Sequence, residues 1–223
     1  MKTHPLTAKI IKAFNAHLDD ELAIGMKAYM KDRFEFLGIK SPVRNEILKP
    51  FFAELKGLDT KEWMTVVDQL WNQKFREFQY AAMVFADRKI KDLQPDHLPF
   101  LEKMITEKSW WDTVDMVAGN LMGAFFKMYP EKIPSAISRW TKTDNFWLHR
   151  TCILFQLKYG ANTDHKLLFE VCTKYAGEKE FFIRKAIGWA LRQYSKSNPK
   201  AVKTFIQKQK LSPLSVKEGS KYL

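Results

Sequence analysis

The sequence predicts an all-α fold, and three observations carry that prediction. Glycine and proline account for only 18 of the 223 residues, below the roughly 12% of an average chain. No Asn-Gly or Asp-Gly pair, the strongest short hairpin signal, occurs anywhere. Apolar residues recur at helical spacing: Phe182, Ile183, Ala186, Ile187, Ala190, Leu191 and Tyr194 form one stripe, and Val114, Val117, Leu121, Met122 and Phe125 form another.

Helix starts punctuate the chain. Ser41-Pro42, Asn198-Pro199 and Ser212-Pro213 each place a capping side chain before a proline suited to the first helical position. Asp164 and Thr60 are caps for two more. The pattern predicts helices over 5–17, 19–34, 42–56, 60–72, 75–89, 96–106, 110–128, 131–141, 145–158, 165–176, 180–195, 199–209 and 213–221. No low-complexity or linker segment separates them, so a single domain over 1–223 is expected.

Composition sets the outer limits. With 46% apolar and 14% aromatic residues the chain can bury a sizeable core. The longest uninterrupted apolar run, Ala81–Ala86, is far short of the roughly 20 residues of a membrane helix. Residues 1–10 carry Lys2 and Lys9 and no apolar stretch of secretory type, so a cytoplasmic protein is expected. Cys152 and Cys172 lie inside apolar helical stretches and read as reduced core residues. Neither belongs to a Cys-x-x-Cys pair, so no metal and no cofactor is expected. Lys and Arg number 37 against 25 Asp and Glu, a net charge of +12. That points to a polyanionic partner, nucleic acid first, an acidic membrane or protein second.

The helices repeat. Aligning Glu77–Ala82, Trp147–Cys152 and Phe182–Ile187 places Tyr80, Arg150 and Lys185 in one row, and the vacant place in the series falls on Asp115. The period is 35, two helices per unit, as in α-solenoids of HEAT, armadillo or TPR type. In such a superhelix equivalent positions line a concave surface, so Tyr80, Asp115, Arg150 and Lys185 are expected in a line along a basic groove.

Several residues stand off the apolar stripes. Trp189 shares its helix face with Lys185, Gly188 and Arg192; Trp111 lies one turn before Asp115. These tryptophans either pack against a neighbouring repeat or offer stacking surfaces amid Arg150, Lys158, Lys185 and Arg192. Asp115 is either ion-paired with Arg150 or functional. Arg150 and Lys185 fit a solvated face as well as a phosphate-binding one, and Tyr80 fits core packing. An acid on a surface built for phosphate repels its ligand, and catalysis of a step that develops positive charge gives it a reason to be there.

Four stretches resemble one family: Phe36-Leu37-Gly38-Ile39; Lys108-Ser109-Trp110-Trp111-Asp112-Thr113-Val114-Asp115; Asp144 to Tyr159; and Lys179 to Arg192 with its Ala186-Ile187-Gly188-Trp189 core. They are similar to the AlkD family of bacterial DNA glycosylases of alkylation repair, built from HEAT-like repeats. The likeness runs from about residue 5 to 220. It implies base excision repair: hydrolysis of the N-glycosidic bond of N3- and N7-alkylated purines in duplex DNA, leaving an abasic site, with the damaged base left stacked. It implies Asp115 as the catalytic aspartate and Trp111 and Trp189 as the aromatic pair beside the lesion. It implies Arg150 at the DNA backbone near the catalytic site and Tyr29 as a DNA contact. The expected DNA-binding set is completed by Lys40, Ser41, Arg44, Lys158, Lys185 and Arg192.

The chemistry suits these residues. Alkylation makes the purine cationic, so it leaves without a general acid. Charge moves to the sugar, where an ionised Asp115 stabilises it and positions water. The expectation is a monomeric, monofunctional enzyme acting on alkylated duplex DNA, with no membrane and no obligate protein partner. The alternative is a non-catalytic HEAT-type scaffold binding nucleic acid or an acidic protein.

Overall fold

The computed structural model describes residues 2–223. They are helical almost throughout; the sole β pairing among the described residues is an isolated bridge between Glu35 and Phe75. Two compact units divide the chain at Leu93.

The first unit holds α1 (Pro5–Asn15), α2 (Asp20–Tyr29), α3 (Ser41–Leu48), a 3-10 turn (Lys49–Phe51), α4 (Phe52–Gly57), α5 (Thr60–Trp71) and α6 (Arg76–Arg88). Leu6, Ile10 and Phe14 of α1 are buried with Trp63, Val66, Val67 and Leu70 of α5 and Phe78, Ala81 and Phe85 of α6. Helix α2 stops at Tyr29 rather than near residue 34, because Lys31 and Asp32 adopt left-handed φ of 58° and 56°. Neither is glycine, and only Asp32 is of a type that tolerates this region, so the local sequence announces the break weakly.

The segment after it is fixed from beneath by a buried acid. Glu77 carboxylate oxygens accept from the amides of Leu37 (3.1 and 3.0 Å), Gly38 (3.0 Å) and Ile39 (3.1 Å). Gly38 has φ of 88°, and a Cβ there would lie 2.0 Å from the Asp19 carbonyl oxygen. The Phe36-Leu37-Gly38-Ile39 stretch is thus an anion-binding nest filled by the protein's own carboxylate, and it sets where α3 begins. The cap there differs from expectation: Lys40 occupies the cap position, with no side-chain cap bond, and Ser41 Oγ instead accepts from Arg44 Nη2 at 3.2 Å. At α5 the cap is Asp59, one residue before Thr60, in a reciprocal box with Glu62.

The second unit holds α7 (Leu98–Thr106), α8 (Trp111–Met116), a π-helical stretch (Val117–Met122), α9 (Gly123–Met128), α10 (Ile133–Trp140), α11 (Phe146–Leu154), α12 (His165–Lys174), α13 (Phe181–Ser195), α14 (Pro199–Lys208) and α15 (Pro213–Gly219). The caps read from sequence recur: Asp164, Asn198 and Ser212 each accept from the amide three residues on. Both apolar stripes are core. Val114, Val117, Leu121, Met122 and Phe125 are wholly buried, as are Ala186 and Leu191, while Ile183 and Ile187 are nearly so. Each large aliphatic side chain so buried contributes about 1.5–3 kcal/mol. Helix α11 ends at Leu154, earlier than residue 158, in a run of turns leading to Gly160 with φ of 57°.

Candidate active site and nucleic-acid interface

The site in the second unit is assembled from the starts of three helices. Lys108 takes a left-handed φ of 50°, after which Trp110 is extended and caps α8. The Trp110 ring is buried edge-on against Trp147 of α11 (5.9 Å between centroids) and Phe182 of α13 (5.1 Å). This aromatic knot fixes the entry into α8. The next residue, Trp111, opens the helix half-buried, and Asp115 follows one turn later on the same face. Immediately beyond Asp115 the backbone widens into the π-helical stretch, a distortion often found at functional sites.

Arg150 meets Asp115 from α11. Its Nε donates to Oδ1 at 2.7 Å and its Nη2 to Oδ2 at 2.9 Å, while Nη1 donates to the Phe182 carbonyl in the first turn of α13. One guanidinium therefore ties α8, α11 and α13 together. Sequence reasoning left Arg150 open between an ion pair with Asp115, a solvated face and a contact to the DNA backbone, and the ion pair is what the structure shows. The structure buries it to 3% exposure, with three of its five N–H groups engaged. Asp115 keeps 18% exposure, so the carboxylate is the more open partner. Burial pushes the Asp115 pKa above its ordinary 3.8, and the hydrogen bonds and charge of Arg150 oppose that rise.

Trp189 lies on α13, two turns past Phe182, and is partly exposed. On the same helix the expected Lys185 and Arg192 converge on an acid that the predicted site lacked. Glu218 of α15 receives Lys185 Nζ on Oε1 at 2.8 Å, Arg192 Nη1 on Oε2 at 3.0 Å and Lys221 Nζ on Oε2 at 2.9 Å. Hydrogen bonds from Lys185 and Lys221 hold its carboxyl down at about 2. A signal for this residue was present: Glu218 is the lone acid among seven lysines in residues 196–223. Gly188 allows α15 this close, since a Cβ there would lie 2.5 Å from the Glu218 Cβ. Lys158 stands apart from the cluster, exposed in the turn after α11.

In the first unit, Tyr29 ends α2 at 69% exposure and lines a groove of about 440 Å³ with Met26, Met30, Phe36, Lys40 and Tyr80. Arg44 stacks its guanidinium over the Tyr80 ring at 4.6 Å, and Lys40 and Ser41 are exposed. Of the residues expected in one row, Asp115 and Arg150 touch, and Lys185, a further period along, pairs with Glu218. No group of three or more His, Cys, Asp and Glu side chains able to hold a metal ion occurs among the described residues. No helix among them is long and apolar enough to cross a membrane.

Comparison with known proteins gives a consistent picture. A family model described as DNA alkylation repair enzyme matches residues 10–223. A solved structure described as a predicted DNA alkylation repair enzyme from Enterococcus faecalis superposes with a TM-score of 0.87 at 32% identity, covering 93% of this chain and 97% of that one. AlkD2 from Streptococcus mutans has a TM-score of 0.62 at 19% identity, covering 80% of this chain and 89% of that one, a likeness of fold. The same holds for smu.31 from Streptococcus mutans UA159, at 19% identity and a TM-score of 0.62, covering 80% of this chain and 92% of that one. No curated protein matches the chain. The match along nearly the whole sequence, with a relative at 32% identity, places the chain in the DNA alkylation repair enzyme family.

Proposed function

We propose that this protein is a monofunctional DNA glycosylase that hydrolyses the N-glycosidic bond of N3- and N7-alkylated purines in duplex DNA. The observation that carries the reading is Asp115: a partly exposed carboxylate, gripped from its buried side by Arg150 and one helical turn from Trp111. The alkylated purine carries the positive charge before the reaction. As the bond between C1′ and N9 breaks, its electron pair neutralises the base and the sugar becomes the cation. Asp115 faces that developing charge, and water adds to C1′ with loss of a proton. Trp111 and Trp189 offer π faces to the cation. No acid is needed for the leaving group.

Arg150 acts through Asp115, fixing the direction of its lone pairs; with 3% exposure it offers little to a phosphate. Lys185 and Arg192 of α13, and Tyr29, Lys40, Ser41 and Arg44 of the first unit, are the backbone contacts in this reading. Lys158 adds positive charge to the surface. The ammonium of Lys185 donates to Glu218, an arrangement that does not prepare an amine for Schiff-base chemistry and so favours simple hydrolysis over strand cleavage. The enzyme works as a monomer in the cytosol.

A second reading rests on the same ion pair. Two-point bonding to a buried guanidinium is what a purely structural aspartate also makes, in a scaffold that binds nucleic acid or an acidic protein without chemistry. Incubation with a methylated duplex separates the two. Release of N7-methylguanine or N3-methyladenine, with an abasic site left in an intact strand, is the expected outcome. Tight, salt-sensitive duplex binding without base release sinks the enzyme reading.

A further inference from the structure

Glu218 sits under a layer of cations. Its own side chain is 9% exposed, while Lys185, Arg192 and Lys221 are 41%, 26% and 46% exposed. The cluster bears three positive charges over one negative, so it presents a net cationic face to solvent. Lys185 and Arg192 lie one turn before and one turn after Trp189 on α13. They bind different oxygens of the one carboxylate, which fixes both long side chains in a single arrangement.

We propose that Glu218 is a positioning residue. It holds Lys185 and Arg192 on either side of Trp189 so that both grip one backbone phosphate beside the damaged nucleotide. This rests on the glycosylase reading for its chemistry, although the phosphate contact itself does not. Free lysine and arginine chains sample many rotamers and give up that entropy on capturing an anion. Held chains have already given it up. A backbone phosphodiester carries one negative charge, and the three cations less Glu218 leave two positive charges, so the acid at the base of the cluster does not forbid capture. It also makes the position of that phosphate exact to the reach of a carboxylate rather than of two flexible chains. Gly188 and Ser215 secure the arrangement. A Cβ at Gly188 would collide with Glu218, and Ser215 Oγ donates to the Arg184 carbonyl at 2.9 Å, seating α15 on α13.

The test uses the full chain as Glu218→Gln, Lys185→Ala/Arg192→Ala, and all three changes together, with Gly188→Ala displacing Glu218 while keeping its charge. Thermal melting shows which variants fold, and only those are assayed. Single-turnover base release at saturating enzyme is expected to fall about tenfold in Glu218→Gln, since small misplacements of a substrate cost that much or more. Adding Glu218→Gln to the double alanine variant is expected to change the rate less than twofold. Equal losses in both backgrounds, or no loss in either, overturn the proposal. Phosphate-ethylation interference on a duplex with one tetrahydrofuran abasic analogue reads the contact without chemistry. Among the interfering phosphates of the native protein, one beside the abasic analogue is expected to be absent from the double alanine variant and weakened in Glu218→Gln and Gly188→Ala, while those contacted by the first unit persist in all variants. An unaltered footprint in Glu218→Gln overturns positioning even if the native protein releases no base, and absence of base release alone bears only on the glycosylase reading.

Discussion

Asp115 and Arg150, one period of 35 residues apart, meet through two parallel hydrogen bonds of 2.7 and 2.9 Å. The contact joins equivalent places in successive helical units. It also decides what Arg150 does. A guanidinium bound twice to a carboxylate and once to the Phe182 carbonyl is a brace.

This brace sets a pH dependence. In the proposed mechanism the reaction needs Asp115 ionised, so activity is expected above its pKa and lost below it. Burial raises that pKa from 3.8, and Arg150 pulls it back. The acid limb of single-turnover base release should therefore lie above pH 3.8 and involve one proton. Arg150→Lys keeps a positive charge but loses the two-point grip, so the limb should move to higher pH. A limb that stays in place would mean that another group controls it.

The two tryptophans should act on charge rather than on shape. Trp189→Leu and Trp111→Leu remove a π face worth about 0.5–2 kcal/mol to a nearby cation, a loss of about two- to thirtyfold in excision rate. Phenylalanine at either place should recover part of it. Measuring each variant on N7-methylguanine checks the point, and leucine variants as fast as the native protein would remove the tryptophans from the chemistry.

Stability of the first unit should depend on Glu77. Glu77→Ala leaves three buried amides without their acceptor and is expected to cost about 3–5 kcal/mol. The denaturant midpoint of the variant reports this. Retained stability would show that the loop before α3 finds other partners.

Both cysteines should be silent. Burial pushes the Cys152 and Cys172 thiols up to about 12. A thiol reagent at neutral pH should label neither in the folded protein and both after denaturation. Rapid labelling of the native protein would contradict their place in the core.

Much of this was legible in the sequence, and the reasons are local. The apolar stripes of α8 and α13 repeat at helical spacing over several turns, so burial of Val114 or Leu191 follows from pattern alone. Asn198 and Ser212 announce their helices because a cap is a contact over three residues. The period of 35 joined Asp115 to Arg150 because a repeat converts a long separation into a neighbouring place. What escaped were contacts with no period. The end of α2 depends on left-handed Lys31 and Asp32, and a left-handed lysine carries no signal in the sequence. The burial of Arg150 depends on a backbone carbonyl in another helix. Glu218 stood out only as an unmatched charge in the tail, and it took the close approach of α15 at Gly188 to give that charge a place.

The central claim is that Asp115 does chemistry beyond holding Arg150. Asp115→Asn preserves the shape of the side chain and one acceptor for Arg150 while removing the charge. Release of N7-methylguanine from a methylated duplex, compared between native and Asp115→Asn proteins at saturating enzyme, measures that charge directly. The account predicts a rate lower by about a hundredfold or more, with duplex binding retained. Release by Asp115→Asn as fast as by the native protein would contradict it.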